Sequence, residues 1–262
     1  MANIKDNPSL YIPGILPSWI SSSQYFSTID STNIEAWRSF KTNFTGNHLI
    51  IAREQMAGKG QRGRKWHSLP KGLWMSLLVT DKKLLDHFST RITLDCGLAI
   101  LESLAELIQG DIKLKWPNDI YLNGKKLGGI LVETRWQGNV LSGVVFGIGL
   151  NIMHERDDFP EELRDSATSI LIENNKTVYP FEIMNLLLAN IYQFLTKPIV
   201  EAQFQTKWKK VALWINESVI INEDENVCGL FMGVNNNGAA MIRHKISGEL
   251  LLESGTMRQV VK

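Results

Sequence analysis

The chain has 262 residues, enough to bury roughly 70–75% of its unfolded surface in one large domain, or one large and one small. Hydrophobic residues make up 44% and charged residues 21%, a balance that excludes extensive disorder beyond the ends. Lys and Arg total 28 against 27 Asp and Glu, so no global charge draws the molecule to a polyanion, and any basic function must be local and aimed at a small anionic ligand.

In chain order, Met1 to Ser23 lacks the basic and apolar segments of a secretory signal, and Pro8, Pro13, Gly14 and Pro17 suggest an extended arm laid on the surface. Asp30-Ser31-Thr32-Asn33 precedes Ile34, Trp37 and Phe40 at helical spacing and reads as a helix N-terminus, with simple capping as its plain role. His48 to Arg53 and Leu73 to Thr80 predict two buried strands that hold a glycine-rich loop between them. From Ile92 to Ile108, Leu94, Leu98, Leu101, Ala105 and Ile108 form one apolar helical face that covers a sheet. Lys113 to Trp116, Leu127 to Trp136 and Val140 to Ile152 predict strands, the last two joined as a hairpin through Gln137-Gly138-Asn139. His154-Glu155, set among Arg156, Asp157 and Asp158, reads as a solvated loop rather than a metal site. Pro180 opens a further helix that Pro198 ends.

Residues 1–215 are thus expected to make one α+β domain. Beyond Trp214, five short strands separated by turns such as Asn235-Asn236-Asn237-Gly238 predict a small barrel over 216–262. No run approaches the roughly 20 apolar residues of a membrane span. Cys96 and Cys228 stand in apolar contexts without C-x-x-C spacing, which predicts buried reduced thiols and a cytoplasmic address.

Chemistry concentrates in a few segments. Gly58, Gly60 and Gly63 free the backbone to present N–H groups to an anion, while Lys59, Arg62, Arg64 and Lys65 add positive charge before Trp66 closes the run. Alone, this loop reads equally as a basic surface patch. Further on come Lys115-Trp116-Pro117-Asn118-Asp119, Lys126-Leu127-Gly128-Gly129-Ile130-Leu131-Val132-Glu133 and Gly147-Ile148-Gly149-Leu150-Asn151. A lysine opening a buried strand, as Lys126 does, is by itself an ordinary solvated strand end.

Taken in series, D-S-T-N, Q-x-A-G-K-G-Q-R-G-R-x-W, K-W-P-N-D with K-L-G-G-I-L-V-E, and G-I-G-L-N resemble the biotin protein ligases. The resemblance is strong from Asp30 to Asn151, weaker through Ala167 to Ile170, and one of pattern alone beyond. It implies a mixed β-sheet with helices mainly on one face, as in class II aminoacyl-tRNA synthetases, followed by a small SH3-like β-barrel. It also implies a two-step ligase: the biotin carboxylate attacks the α-phosphate of Mg·ATP, and a lysine of a biotin carboxyl carrier domain then attacks biotinyl-5′-AMP. The chain ahead of Asp30 is shorter than the helix-turn-helix domain of some bacterial members, so DNA is not expected as a partner, and the lack of an apolar span leaves a membrane unexpected too; monomer and homodimer both remain open.

Carried over position by position, the resemblance puts Ser31, Thr32, Asn33 and Gln55 at the biotin head, with Lys59, Gly60 and Gln61 closing over it. Lys126 reaches between the biotin carboxylate and the α-phosphate, where a compact ammonium suits both. Gly58, Gly63, Arg62 and Arg64 fall to the ATP phosphates, with the two arginines and Lys126 as catalytic groups. Trp66 falls near the adenine, with a packed core role as its alternative, and Asn118 and Asn151 are nucleotide contacts. Asp119 is the expected oxygen ligand of Mg2+. One departure stands out: Gln61 occupies a loop position that is usually arginine in the family, which leaves adenylate retention to Arg62 or Arg64. The arginine-rich R-R-x-S-G-G-G stretch of lipoate ligases is missing. A nucleic-acid-binding module is the non-enzymatic alternative, and the even charge balance argues against it.

Overall fold

The computed structural model describes residues 16–42, 45–221 and 227–260. Seven strands, β1 (Ser22–Phe26), β2 (Asn47–Ala52), β3 (Gly72–Val79), β4 (Ile112–Lys115), β5 (Asp119–Leu122), β6 (Lys125–Gln137) and β7 (Val140–Asn151), form one sheet. Its order is β1-β2-β3-β7-β6-β5-β4. Only β1 and β2 pair in parallel, so the sheet is mixed as expected. β1, which begins at the end of the expected N-terminal arm, was not foreseen; residues 1–15 of that arm lie outside the described residues.

The strand period of two divides the sheet into two faces. Leu49, Ile51, Leu77, Val79, Val144, Phe146 and Leu150 point to the main core, where α3 (Ile92–Ala105) and α5 (Pro180–Thr196) cover them. Leu187, Leu188 and Ile191 of α5 are each 0% exposed, and burial of that completeness contributes about 1.5–3 kcal/mol per side chain. Ile50, Leu78 and Val145 point the other way, onto Ala36 of α1 (Thr32–Lys41). Thus α1 shares the second face with an open cavity. Two short helices, α2 (Lys82–Leu85) and α4 (Ile170–Asn174), close the connections.

After α6 (Glu201–Val211), the strands β8 (Ser218–Ile221), β9 (Val227–Val234), β10 (Ala240–His244), β11 (Gly248–Leu252) and β12 (Met257–Gln259) form a second sheet in the order β11-β10-β9-β8-β12, every pair antiparallel. The strand positions agree with the sequence reading, but the barrel does not. β11 and β12 are the two edges of an open sheet. Closure requires edge strands long enough to pair across the seam; β12 has three residues, all paired with β8, and β11 is spent on β10. The connection between these edges turns instead to the glycine loop, where Ser254 and Thr256 meet Arg62 and Arg64. The sheet is pinned to the first by Trp116 Nε1 donating to the Gly238 carbonyl at 2.9 Å and Arg91 Nη1 to that of Asn236 at 3.1 Å.

Two smaller expectations are also corrected. Cys96 is buried, and burial pushes its thiol pKa up, but Cys228 is exposed on β9. His154 is not in a solvated loop: it is 3% exposed, packed between Trp74 and Phe159.

Candidate active site

The cavity floor is glycine. Gly147 and Gly149 of β7 face it, with Gly129 of β6 paired to Gly149. A Cβ on Gly147 would lie 2.1 Å from Asn33 Oδ1, and one on Gly149 2.7 Å from the Trp66 indole nitrogen. The G-I-G pattern therefore lets two polar side chains lie flat against the sheet.

One end of the cavity is a neutral hydrogen-bond network. Ser31, Thr32 and Asn33, at the start of α1, are all nearly fully buried. Gln55 Oε1 accepts from the Thr32 N–H at 2.8 Å and lies 3.1 Å from its hydroxyl, while Gln55 Nε2 donates to Ser68 Oγ at 2.7 Å. Ser76 Oγ lies 2.7 Å from Thr32 Oγ1 and 2.6 Å from Asn33 Oδ1. Asn33 Nδ2 donates to Glu133 at 2.8 Å, and the same carboxylate oxygen receives the Trp37 N–H at 3.3 Å. Sequence reasoning missed Ser76, although a fully buried serine inside the otherwise apolar L-W-M-S-L-L-V is a signal: a polar group there needs a partner. It also gave Glu133 no role.

The other end is ionic. Lys126, entering β6, places Nζ 2.7 Å from Asp119 Oδ1, and Lys115, leaving β4, places Nζ 3.4 Å from Asp119 Oδ2. Lys115 lies behind the carboxylate, its ammonium 5.6 Å from the Tyr121 ring and 5.5 Å from the Trp214 ring. Burial lowers its pKa, Asp119 opposes that, and Lys126 and Arg64 add to the lowering. Lys126 is more open and sits 5.2 Å from the Trp66 ring. Both oxygens of Asp119, the expected Mg2+ ligand, face ammonium groups. Asn118 reaches the cavity, but its Nδ2 donates to the Ile130 carbonyl at 2.8 Å and so ties β5 to β6.

Over both ends lies the glycine loop, folded as a short hairpin. Trp66 N–H donates to the Gly58 carbonyl at 2.9 Å and Gly60 N–H to that of Arg64 at 2.7 Å. The reversal is made by Arg62 at φ 56° and Gly63 at φ 73°, the left-handed region that glycine adopts without strain. Gly58 is needed for a different reason, since a Cβ there would lie 2.6 Å from both Ser68 Oγ and the Trp66 carbonyl. Lys59, Gly60, Gln61, Arg64 and Trp66 line the cavity; Gly58, Arg62 and Gly63 do not. Arg62 reaches Ser254 at 3.4 Å, and Arg64 donates to Thr256 at 3.0 Å.

At the outer end, Asn151 lines the cavity with Nδ2 donating to the Thr168 carbonyl at 3.0 Å. Beside it His154 is held neutral, its pKa pushed down to about 4 by burial, with nearby Asp158 opposing and Lys71 assisting. Two nitrogens in the lining, Trp66 Nε1 and His154 Nδ1, are buried without a hydrogen-bond partner among the described residues. Such orphans are few in folded proteins. Phe159 and Leu163 complete an apolar wall.

The sequence pattern of the biotin/lipoate A/B protein ligase family matches residues 25–151. The chain is 40% identical over 149 residues to the bifunctional ligase/repressor BirA of Bacillus spizizenii, a match covering 56% of this chain and 45% of that protein. It thus spans about half the length of that relative. It is 30% identical over 221 residues to the biotin--[acetyl-CoA-carboxylase] ligase of Paracoccus denitrificans, covering 82% of this chain and 91% of the relative. The biotin protein ligase of Aquifex aeolicus, solved in complex with biotin and ATP, superposes with a TM-score of 0.75 at 25% identity, covering 92% of this chain and all of that one.

Proposed function

The chain belongs to the biotin protein ligase family, and from that premise we propose that it activates biotin with ATP as biotinyl-5′-AMP and passes the biotinyl group to a lysine of a biotin carboxyl carrier domain. The observation that carries this reading is the junction of two unlike environments in one cavity: a neutral hydrogen-bonding pocket beside a lysine-rich anion site, under a basic glycine loop. A cyclic urea needs the first and a carboxylate meeting a phosphate needs the second.

The residues divide the work accordingly. Ser31, Thr32, Asn33 and Gln55 present hydroxyl and amide groups to the ureido ring at no charge cost. Lys126, at the boundary, offsets the repulsion between the biotin carboxylate and the α-phosphate, a contact that gains as charge shifts to the bridging oxygen. Arg64, and Arg62 once freed from Ser254, bring charge to the phosphates. Trp66 offers its ring to the adenine, and Asn151 borders the same space. Lys59, Gly60 and Gln61 close over biotin and keep water from the mixed anhydride. Magnesium enters as part of Mg·ATP and is counted with the substrate.

Purified protein given biotin, Mg·ATP and a biotin carboxyl carrier domain is expected to add the mass of one biotin to the carrier, at one lysine. A carrier whose mass stays unchanged while pyrophosphate is released would limit the activity to adenylate formation. Neither product would remove the proposal.

A further inference from the structure

An ionised carboxylate is out of place in a site built for anions, yet Asp119 lies 2.7 Å from the ammonium that meets them. Left alone, it would neutralise Lys126 and repel both biotin carboxylate and phosphate. We infer that Lys115 is a positioning residue that cancels the charge of Asp119, so that the carboxylate orients Lys126 without neutralising it.

The geometry supports each part. Lys115 Nζ stands 3.4 Å from Asp119 Oδ2, the oxygen that Lys126 does not use. Its side chain is 11% exposed against 32% for Lys126, and it is missing from the cavity lining, so it serves the site through Asp119 and not by touching ligand. The Tyr121 and Trp214 rings beside it offer their π faces to a cation that has left water. The backbone brings the three together: Lys115 pairs with Asp119 across β4 and β5, and Lys126 pairs across β5 and β6 with Tyr121, close along β5 to Asp119. Two ammoniums on one carboxylate leave a net single positive charge, and only its Lys126 end opens to the cavity.

The inference rests on the proposed reaction, and its test separates the two. Wild type, Lys115→Met, Lys115→Arg and the double variant Lys115→Met with Asp119→Asn are compared in single-turnover release of pyrophosphate from biotin and Mg·ATP, with melting temperature checking the fold. Lys115→Met is expected to slow the step by about 10–100-fold, as partners one step from a reacting group do, with the KM for biotin within about twofold of wild type. Lys115→Arg should keep most of the rate. The decisive variant is the double one: with the carboxylate charge removed there is nothing left to cancel, so Asp119→Asn should return about tenfold of the rate lost by Lys115→Met. A double variant no faster than Lys115→Met, or a Lys115→Met variant as fast as wild type, overturns the inference. If Lys115→Met does not fold, Lys115→Gln replaces it in both backgrounds. If wild type makes no adenylate, the proposed reaction fails, and calorimetric titration with pyrophosphate still decides the role of Lys115: binding weakened by Lys115→Met and recovered by Asp119→Asn upholds it, and binding indifferent to both refutes it.

Discussion

The two ends of the cavity solve recognition in opposite ways. At the neutral end, Thr32, Asn33, Gln55 and Ser76 are already committed to one another before any ligand arrives. At the ionic end, Lys126 is bound to one oxygen of a carboxylate and keeps two ammonium protons uncommitted by it. The first arrangement fixes shape and the second reserves charge. Specificity and rate should therefore fail separately when each is damaged.

The largest expected loss is at the ionic end. Lys126→Ala should lower the rate of adenylate formation by about 10²–10³-fold, as removal of one electrostatic donor does elsewhere, while biotin binding measured by calorimetry changes far less. Equal losses in both would erase the distinction between the ends. At the neutral end, Ser76→Ala strips the hydroxyl shared by Thr32 and Asn33 and should cost about 1–3 kcal/mol. It should appear as a raised KM for biotin with kcat nearly unchanged.

His154 tests the wall between the cavity and the core. Its folded pKa lies near 4, below the ordinary 6.5, so between those values the unfolded chain binds a proton that the folded one refuses. Stability contributed by the neutral ring is therefore intact above pH 6.5 and falls as pH drops toward 4, by roughly 3 to 3.5 kcal/mol at most. Chemical denaturation across that range should show the decline, and His154→Phe should flatten its share. The smallest effect is expected at the loop, where Gln61→Arg adds an exposed cation worth about 0.2–1 kcal/mol. It should lengthen adenylate retention about 1.4- to fivefold on that basis, read by the dissociation of labelled adenylate.

Much of this was legible in the sequence because the determinants are local. The strands around the glycine loop, the hairpin of β6 and β7 and the helix after Pro180 each announce themselves by period and turn residues. The residues expected at biotin, Ser31 to Asn33 with Gln55, do meet in one cavity, as do Lys126 and Asn151. What stayed hidden depends on pairing across the chain. α6 carries only Phe204 and Trp208 as fully buried residues in a polar run, and its placement depends on distant partners: it packs on β4, Arg91 lies over the Phe204 ring, and Gln205 donates to the Val234 carbonyl. Whether five short strands close into a barrel is settled by which edges meet, which their composition does not encode. That Lys115 and Lys126, from neighbouring strands, both hold Asp119 is likewise a matter of pairing and not of local sequence. His154 has charged neighbours in sequence and aromatic ones in space.

The alternation along β7 has a consequence for inheritance of change in this protein. Residues 143, 145, 147, 149 and 151 face α1 and the cavity, whereas 144, 146 and 150 are sealed into the main core and Ile148 packs with them at the cavity edge. A deep mutational scan of this strand should therefore trace a sawtooth: even positions lower the amount of folded protein, and the odd positions at the cavity, 147 to 151, lower what each folded molecule does. Deleting a single residue from the strand would exchange the two sets and lose both at once.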